Sequence, residues 1–191
     1  MKALASAIAA LASRDEARRA AGAAKIFEVG RALAEPVVRT WRKDPEFAAL
    51  IGRETPAITV GLAVEPVTFA MIRAANSSPL LARVPPEQDA AEFELHFPSD
   101  ISLDIITTNQ PGGMGAIARY LTKFGEGIQQ VEYRTENVDR ATAILREKFG
   151  QQAVYPAAQP GADGTRVNFF LATPTSGAKV LIELYEAPAR L

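Results

Sequence analysis

The stretch "GEGIQQVEYRT", residues 125–135, combines a glycine turn with a strand whose side chains alternate in polarity. Successive side chains of a strand point to opposite faces, so Val131 and Tyr133 lie on one face. Gln130, Glu132 and Arg134 then lie on the other face. The alternation predicts a sheet that is covered on its apolar side and polar on its second side.

The same order of secondary structure occurs twice along the chain, and this strand opens the second copy. The first copy comprises the strand "AITVGLAV" (57–64), the helix "VTFAMIRAAN" (67–76) and the strands "PLLARV" (79–84), "AEFELHF" (91–97) and "ISLDIITT" (101–108). The second comprises the strand "IQQVEYRT" (128–135), the helix "NVDRATAILREKFG" (137–150) and the strands "AVYP" (153–156), "RVNFFLA" (166–172) and "KVLIELYE" (179–186). The pattern predicts two strand–helix–three-strand modules with a repeat of about 60 residues, joined by the helix "AIARYLTKF".

Every second residue of these strands gives the composition of each sheet face. The apolar face, which we expect under the helices, collects Ile58, Val60, Leu62, Val64, Phe93, Leu95, Phe97, Leu103, Ile105, Val131, Tyr133, Val167, Phe169, Ile182 and Leu184. The second face collects Thr59, Glu94, His96, Asp104, Gln130, Glu132, Arg134, Asn168 and Glu183, with Ile106, Phe170, Leu181 and Tyr185 between them. An apolar surface with a few placed polar groups is typical of a ligand pocket, whereas a purely polar face is typical of solvent exposure. The pattern alone leaves both interpretations open.

The first fifty residues have a different composition. Residues 2–52 are rich in Ala, Arg, Glu and Leu, and Ile26, Val29 and Leu33 recur at helical spacing. We expect one helix to start near Asp15, Pro36 to kink or divide the helical run, and a short helix to begin at Pro45. The sequence therefore predicts a helical extension over residues 1–54, which covers the main domain or a partner subunit, and a second domain over residues 55–191.

Composition and charge exclude several classes of function. The 191 residues carry a net charge of −1, no cysteine and one histidine, His96. Disulfides, a thiolate nucleophile, cysteine zinc sites and a histidine-rich metal site are therefore excluded within one chain. Charges of both signs are mixed along the chain, so neither nucleic acid nor an anionic membrane is an expected partner. The start, "MKALASAIAALAS", is mostly alanine, and we interpret it as a helix of a cytoplasmic protein rather than a signal peptide.

Three stretches of the chain resemble the vicinal oxygen chelate superfamily. They are "IARYLTKFGEGIQQVEYRTENVDRATAIL", "QPGADGTRVNFF" and "VLIELYE". This superfamily includes glyoxalases, bleomycin-resistance proteins and methylmalonyl-CoA epimerases, and the likeness is greatest to the epimerases over about Ala57 to Glu186. The resemblance implies an α+β, glyoxalase-like fold with two βαβββ modules whose sheet curves into a cup. Module one would span residues 55–110, a linker helix 111–125 and module two 126–187.

The same resemblance implies a metal site, and this chain departs from it. The four metal-binding positions of the family fall here on Thr59, Asp104, Gln130 and Glu183. The family usually has histidine at the first and third of these positions, and both histidines are replaced. Four oxygen donors suit only a hard cation such as Mg²⁺, Mn²⁺ or Ca²⁺. We therefore expect the usual transition-metal site to be lost and no metal cofactor to be bound.

Three functions are compatible with these residues. The first is a small-molecule-binding protein without chemistry, in which Thr59, Gln130, Glu132, Arg134, His96 and Asn168 orient a polar or aromatic ligand. The alternative is an epimerase, isomerase or lyase that acts at a carbon next to a carbonyl, with Asp104 or Glu183 as the base. In that case Arg134 or an oxygen-ligated cation would stabilise the enolate. The third is an accessory subunit whose N-terminal helices dock a partner.

Two further alternatives concern individual charged residues. Arg134 or Arg166 would neutralise one of the two carboxylates in a purely structural arrangement. His96 would act as a proton shuttle on an inner strand, or as a structural histidine with one hydrogen bond. We also expect a homodimer or another form of self-association.

Overall fold

The computed structural model of the protein describes residues 2–52, 57–173 and 179–188. The predicted domain boundary between residues 54 and 55 lies outside the described residues. The predicted α+β class with two repeated modules and N-terminal helices is confirmed. The helices are α1 (Lys2–Leu11), α2 (Glu16–Trp41), α3 (Pro45–Leu50), α4 (Pro66–Ala75), α5 (Ala116–Phe124) and α6 (Val138–Phe149). The strands are β1 (Ile58–Ala63), β2 (Ala90–Phe97), β3 (Ile101–Thr108), β4 (Gly127–Arg134), β5 (Gln159–Pro160), β6 (Arg166–Ala172) and β7 (Val180–Glu186).

The chain divides into two compact units, and each unit takes part of the N-terminal helices. The first unit comprises the residues up to Gly30 together with Thr59–Gln129, and the second comprises Arg31–Ile58 together with Gln130–Leu191. Helix α2 therefore contributes its first half to one unit and its second half to the other. None of the helices in the described part of the chain combines the length and the hydrophobicity needed to cross a bilayer.

In the first unit the strands lie in the order β2-β3-β1, with β3 antiparallel to β2 and parallel to β1. Side chains of α1, α2 and α4 form one apolar core with the three strands, in which Leu11 and Ile26 share a cluster with Val60. Helices α1 and α2 approach closely at Gly22, where an added Cβ would lie 2.7 Å from the carbonyl oxygen of Ala7. The apolar face predicted for these strands is thus confirmed, and the N-terminal helices supply part of what covers it.

In the second unit the strands lie in the order β4-β7-β6-β5, with β4 parallel to β7. Strand β6 runs antiparallel to both β7 and β5. Trp41, the last residue of α2, packs edge-on against Phe47 of α3 and Phe170 of β6, each at a ring-centroid distance of 5.9 Å. These aromatic contacts anchor the end of α2 to the sheet of this unit.

Two ion pairs connect α3 and α6 in the second unit. Lys148 Nζ lies 2.6 Å from Asp44 Oδ2, and Arg140 Nη2 lies 2.7 Å from Glu46 Oε2. The hydrogen bond from Lys148 lowers the pKa of the Asp44 carboxyl, and the hydrogen bond from Arg140 lowers that of Glu46. Asp44 also caps α3 by accepting hydrogen bonds from the backbone N–H groups of Glu46 and Phe47. The first turn of α3 is therefore held both by the ion pairs to α6 and by the Asp44 cap.

Two predicted strands are wrong, and the helical run is not divided at Pro36. Helix α2 continues through Pro36, because Ala34, Val38 and Trp41 on both sides of it are buried and hold the helix together through packing. The stretch 79–84 forms no strand, although Ala82 N donates a hydrogen bond of 2.9 Å to the Glu92 carbonyl of β2. The stretch 153–156 forms no strand either, and the two-residue strand β5 follows it at 159–160.

We expect the substitution Tyr133→Phe to stabilise the protein by about 1 kcal/mol, because an unpaired buried hydroxyl costs free energy. Tyr133 is 1% exposed, and its hydroxyl has no hydrogen-bond partner among the described residues. Burial, and after it the nearby charge of Glu35, raises the pKa of this phenol far above its usual value, so the hydroxyl stays neutral. Urea unfolding at neutral pH measures the change in the free energy of unfolding.

Tyr120→Phe is the matched control, because the Tyr120 hydroxyl donates a hydrogen bond to the Ile128 carbonyl at 2.8 Å. This variant should lose about 1 kcal/mol. Equal destabilisation by the two substitutions would contradict the assignment of Tyr133 as an unsatisfied group.

Candidate functional site

Three buried polar side chains meet on one face of the second unit, and we call them the Gln130 cluster: Gln130, Glu132 and Glu183. Glu132 of β4 and Glu183 of β7 are register partners in the parallel ladder, and Gln130 lies two residues before Glu132 on the same face. Gln130 Nε2 donates to Glu183 Oε2 at 2.6 Å and to Glu132 Oε1 at 3.1 Å. The three residues are 8%, 7% and 8% exposed, respectively. One amide group therefore connects two buried glutamates.

The chemistry of the cluster follows from its donors and acceptors. An ionised carboxylate only accepts hydrogen bonds, whereas a glutamine NH₂ group supplies two donors. A buried carboxylate costs free energy unless it receives such donors, and hydrogen bonds to charged groups are the stronger ones. Gln130 thus supplies one hydrogen bond to the carboxyl group of each glutamate. The arrangement can orient a hydrogen-bonding ligand, and it presents carboxylate oxygens that are able to accept a proton.

The donor set of the cluster does not fit a metal ion. To ligate a cation, Gln130 would have to present its carbonyl oxygen, but its amide nitrogen faces both glutamates. Within residues 2–52, 57–173 and 179–188, no group of three or more His, Cys, Asp or Glu side chains is placed to hold a metal.

Strand β6 continues the face of the Gln130 cluster with apolar side chains. Phe169 pairs with Glu183, Leu171 with Leu181, and these directly opposed residues lie on the same side of the sheet. The ring of Tyr155, which precedes β5, packs edge-on against Phe169 at a centroid distance of 6.0 Å. The buried polar cluster thus borders an apolar surface that is partly open to solvent.

The predicted placement of Asn168 on this face is wrong. Asn168 pairs with Leu184 on the helix-covered face and is 0% exposed. Its side chain accepts a hydrogen bond from Tyr155 N at 3.4 Å and donates one to Tyr155 O at 3.2 Å. These backbone groups satisfy the buried amide, which explains how an asparagine occupies a core position.

The predicted faces of three other residues on β6 are also reversed. Phe170 was expected on the polar face and instead packs against Trp41 in the core of the second unit. Val167 and Phe169 were expected in that core and instead share the face of Glu183 and Tyr185. Because "VNFFL" has apolar residues in both alternating positions, its pattern does not determine which face is buried.

In the first unit, Thr59 and Asp104 lie on one face of the sheet, as expected. Asp104 is the register partner of Gly61, two residues after Thr59, and both side chains are buried. Ile106 lies further along this face, where Ile117 and Leu121 of α5 cover it. Thr59 and Asp104 are thus placed as predicted, whereas α5 removes Ile106 from any open surface.

His96 does not lie on an inner strand. Strand β2 is the edge strand of the first unit, and the His96 side chain is 67% exposed. Its Nδ1 lies 3.1 Å from Ser102 Oγ and its Nε2 lies 3.2 Å from Glu94 Oε2. An open surface groove of about 740 Å³ runs beside it, bordered by Glu94 and by Glu16 and Arg19 of α2. The expected inner position is therefore wrong, and His96 belongs to the surface of this unit.

The two arginines considered as charge partners both belong to the second unit. Arg134 is exposed at the end of β4, where its backbone N–H donates to the Ala57 carbonyl at 3.4 Å. Arg166 Nη2 donates to Asp139 Oδ2 at 2.6 Å, and its Nη1 lies 3.6 Å from Glu186 Oε2. The hydrogen bond from Arg166 to Asp139 raises the pKa of the guanidinium. Arg166 thus connects β6 with α6 and β7.

No protein-family model and no curated protein matches the chain, but solved structures do. A methylmalonyl-CoA epimerase from Mycobacterium tuberculosis is 30% identical, with 68% of this chain and 87% of that chain covered and a TM-score of 0.55. A Streptomyces coelicolor methylmalonyl-CoA epimerase variant in complex with 2-nitronate-propionyl-CoA is 26% identical, with 71% and 99% covered and a TM-score of 0.57. A methylmalonyl-CoA epimerase in complex with methylmalonyl-CoA and NH₄⁺ is also 26% identical, with 71% and 96% covered and a TM-score of 0.57.

The repeated modules and these similarities define the class of protein. The chain belongs to the vicinal oxygen chelate superfamily. Within that superfamily it is similar to methylmalonyl-CoA epimerases, which match over about two thirds of its length.

Proposed function

We propose that the protein binds a coenzyme A ester through the Gln130 cluster. The observation that carries the proposal is the pair of buried glutamates, which Gln130 connects through two hydrogen bonds of 2.6 Å and 3.1 Å. A few polar groups beside an apolar surface are what a small-molecule site requires. The similar epimerases were solved with methylmalonyl-CoA and with 2-nitronate-propionyl-CoA, which supports an acyl thioester as the ligand. A cytoplasmic location and self-association as a homodimer remain predictions.

A second candidate is proton transfer at the carbon next to the thioester carbonyl. The specific observation in its favour is that Glu132 and Glu183 are register partners on neighbouring strands, so two carboxyl groups lie side by side. In the proposed step the Glu183 carboxylate takes the proton from this carbon, and the electron pair of the C–H bond moves into the enolate. Return of a proton from Glu183 or Glu132 to the carbon restores the thioester, so the reaction needs no oxidant or reductant.

Calorimetric titration with propionyl-CoA tests binding, and proton NMR in D₂O tests proton transfer with the same compound. We expect measurable affinity for propionyl-CoA in the unmodified protein. If the second candidate holds, deuterium replaces the protons next to the carbonyl, and Glu183→Gln lowers this exchange by at least about a hundredfold. Gln152→Leu, an exposed substitution away from the cluster, is the control and should change neither measurement.

The outcomes separate the two candidates. Binding without exchange supports a binding protein, and exchange that is abolished in Glu183→Gln supports an isomerase. Loss of exchange in Asp104→Asn but not in Glu183→Gln would instead assign the base to the other predicted carboxylate. Absence of binding to propionyl-CoA and to coenzyme A itself would contradict the proposal.

A further inference from the structure

The apolar surface beside the Gln130 cluster contains two aromatic side chains whose role the proposed function does not explain. Phe169 is the register partner of Glu183, and directly opposed side chains have Cβ atoms about 5 Å apart. Tyr155 packs on Phe169 and is 40% exposed, and Leu171 on the same face is 50% exposed. A partly open edge-to-face pair therefore lies immediately beside a buried carboxylate.

The position of Tyr155 is fixed, although its segment has neither helical nor strand structure. Val154 N donates to the Phe169 carbonyl at 2.7 Å, which attaches the segment to the edge of β6. The fully buried side chain of Asn168 then bonds to both backbone groups of Tyr155. Asn168 Oδ1 also accepts from Phe169 N at 2.9 Å, so the same amide connects both aromatic residues.

The part of the Tyr155 ring that lies in water is apolar area that a bound ligand can cover. Holding a contact residue in its bound position lowers the entropy lost when a ligand binds. A ring on the ligand can add a further edge-to-face or offset contact to this aromatic pair. Phe169, Leu171 and Leu181 on this part of the face have apolar side chains, so a ligand group that lies on them meets apolar surface.

We propose that Tyr155 and Phe169 form an aromatic wall that binds a ring on the acyl group of the ligand. This proposal rests on the proposed function, and it specifies the ligand as an aryl-substituted acyl thioester with its ring one or two bonds from the carbonyl-adjacent carbon. Asn168 is a positioning residue, because it acts on the ligand only through the backbone of Tyr155. Glu183 contacts the carbon next to the carbonyl, and the ring lies over Phe169.

The test compares phenylacetyl-CoA with propionyl-CoA by calorimetric titration. We expect phenylacetyl-CoA to bind at least tenfold more tightly than propionyl-CoA. Tyr155→Ala should lower the affinity for phenylacetyl-CoA by about tenfold and that for propionyl-CoA by clearly less, in line with the free energy of one aromatic contact. Tyr155→Phe keeps the ring and should keep the affinity. Val154→Ala, at a neighbouring exposed apolar residue, is the matched control.

Asn168→Ser tests the positioning role by the ratio of the two affinities. If Asn168 positions Tyr155, the preference for phenylacetyl-CoA falls and the amide hydrogen of Tyr155 exchanges faster. A merely structural role would lower the free energy of unfolding and leave the ratio of affinities unchanged, and that result would overturn the positioning role. Tyr155→Ala concerns an exposed side chain and keeps the wall testable even if Asn168→Ser does not fold.

A probe without coenzyme A separates this proposal from the proposed function. Phenylacetamide carries the ring and no coenzyme A, and its binding is followed by NMR shifts of Tyr155 and Phe169. Shifts of both residues support the wall even if no coenzyme A ester binds. Equal affinities for the two thioesters, or no shifts with phenylacetamide, would overturn the wall while propionyl-CoA binding upholds the proposed function.

Discussion

Replacing Gln130 by glutamate should lower the free energy of unfolding by about 3 kcal/mol at neutral pH. The substitution keeps the size and shape of the side chain but removes the NH₂ group that donates to Glu132 and Glu183. It also puts a third carboxylate beside two buried ones, and like charges at such distances repel. Urea unfolding monitored by circular dichroism measures the loss.

A divalent cation should restore much of this loss in the Gln130→Glu variant. Three neighbouring carboxylates supply hard oxygen donors, and a ligand that binds only the folded state raises its stability. Millimolar CaCl₂ or MnCl₂ should therefore raise the melting temperature of Gln130→Glu and leave that of the unmodified protein unchanged. Gln152→Glu makes the same chemical change at an exposed position and is the control. Equal stability of the two variants would show that the amide of Gln130 is not needed.

We expect Gly22→Leu to cost about 3–5 kcal/mol, the range found for the loss of large core contacts. A Cβ at this position would lie 2.7 Å from the Ala7 carbonyl oxygen and 2.9 Å from the Ala10 Cβ, and backbone atoms cannot move aside as a flexible side chain does. Helix α1 would have to leave α2, which exposes the buried side chains Ile8 and Leu11. The higher helix propensity of leucine recovers only about 1 kcal/mol.

Ala24→Leu is the control for this prediction. Ala24 lies on the exposed side of α2, two residues after Gly22, so the same side chain is added to the same helix without contact with α1. Its free energy of unfolding should differ from that of the unmodified protein by less than about 0.5 kcal/mol. If both leucine variants are equally stable, the close approach of α1 and α2 is not important for stability.

The sequence predicted those helices and strands whose pattern of polar and apolar residues is compatible with only one type of element and one buried face. In β2, and in the central residues of β3 and β4, polar and apolar residues alternate, and the structure buries the apolar set, for example Leu103 and Val131. The helix that starts after Asn137 and ends before Gly150 has an N-cap side chain and a left-handed C-terminal glycine, and both signals are local. Pro36 shows where such local signals fail. Proline usually interrupts a helix, but the packing of the residues around Pro36 keeps α2 continuous.

Only those residues of the candidate site that lie on regular strands could be predicted from the sequence. Gln130, Glu132 and Glu183 lie on adjacent strands, so alternation and the resemblance to the epimerases sufficed to place them on one face. Tyr155 was not found, because it lies in an irregular segment whose position depends on the side-chain amide of Asn168, 13 residues away in β6. His96 was placed on the correct face of β2, but no periodicity reveals which strand lies at an edge.

Helix α2 also limits how this protein can be dissected. Its Ile26 belongs to one hydrophobic core, and its Trp41 packs on Phe170 in the other. A fragment that starts after α3 would leave an open gap in each of these interiors, and water would reach apolar side chains on both β1 and β6. We therefore expect the glyoxalase-like part of this chain to fold only when α2 is present, so that a shortened gene has to keep the codons for α2.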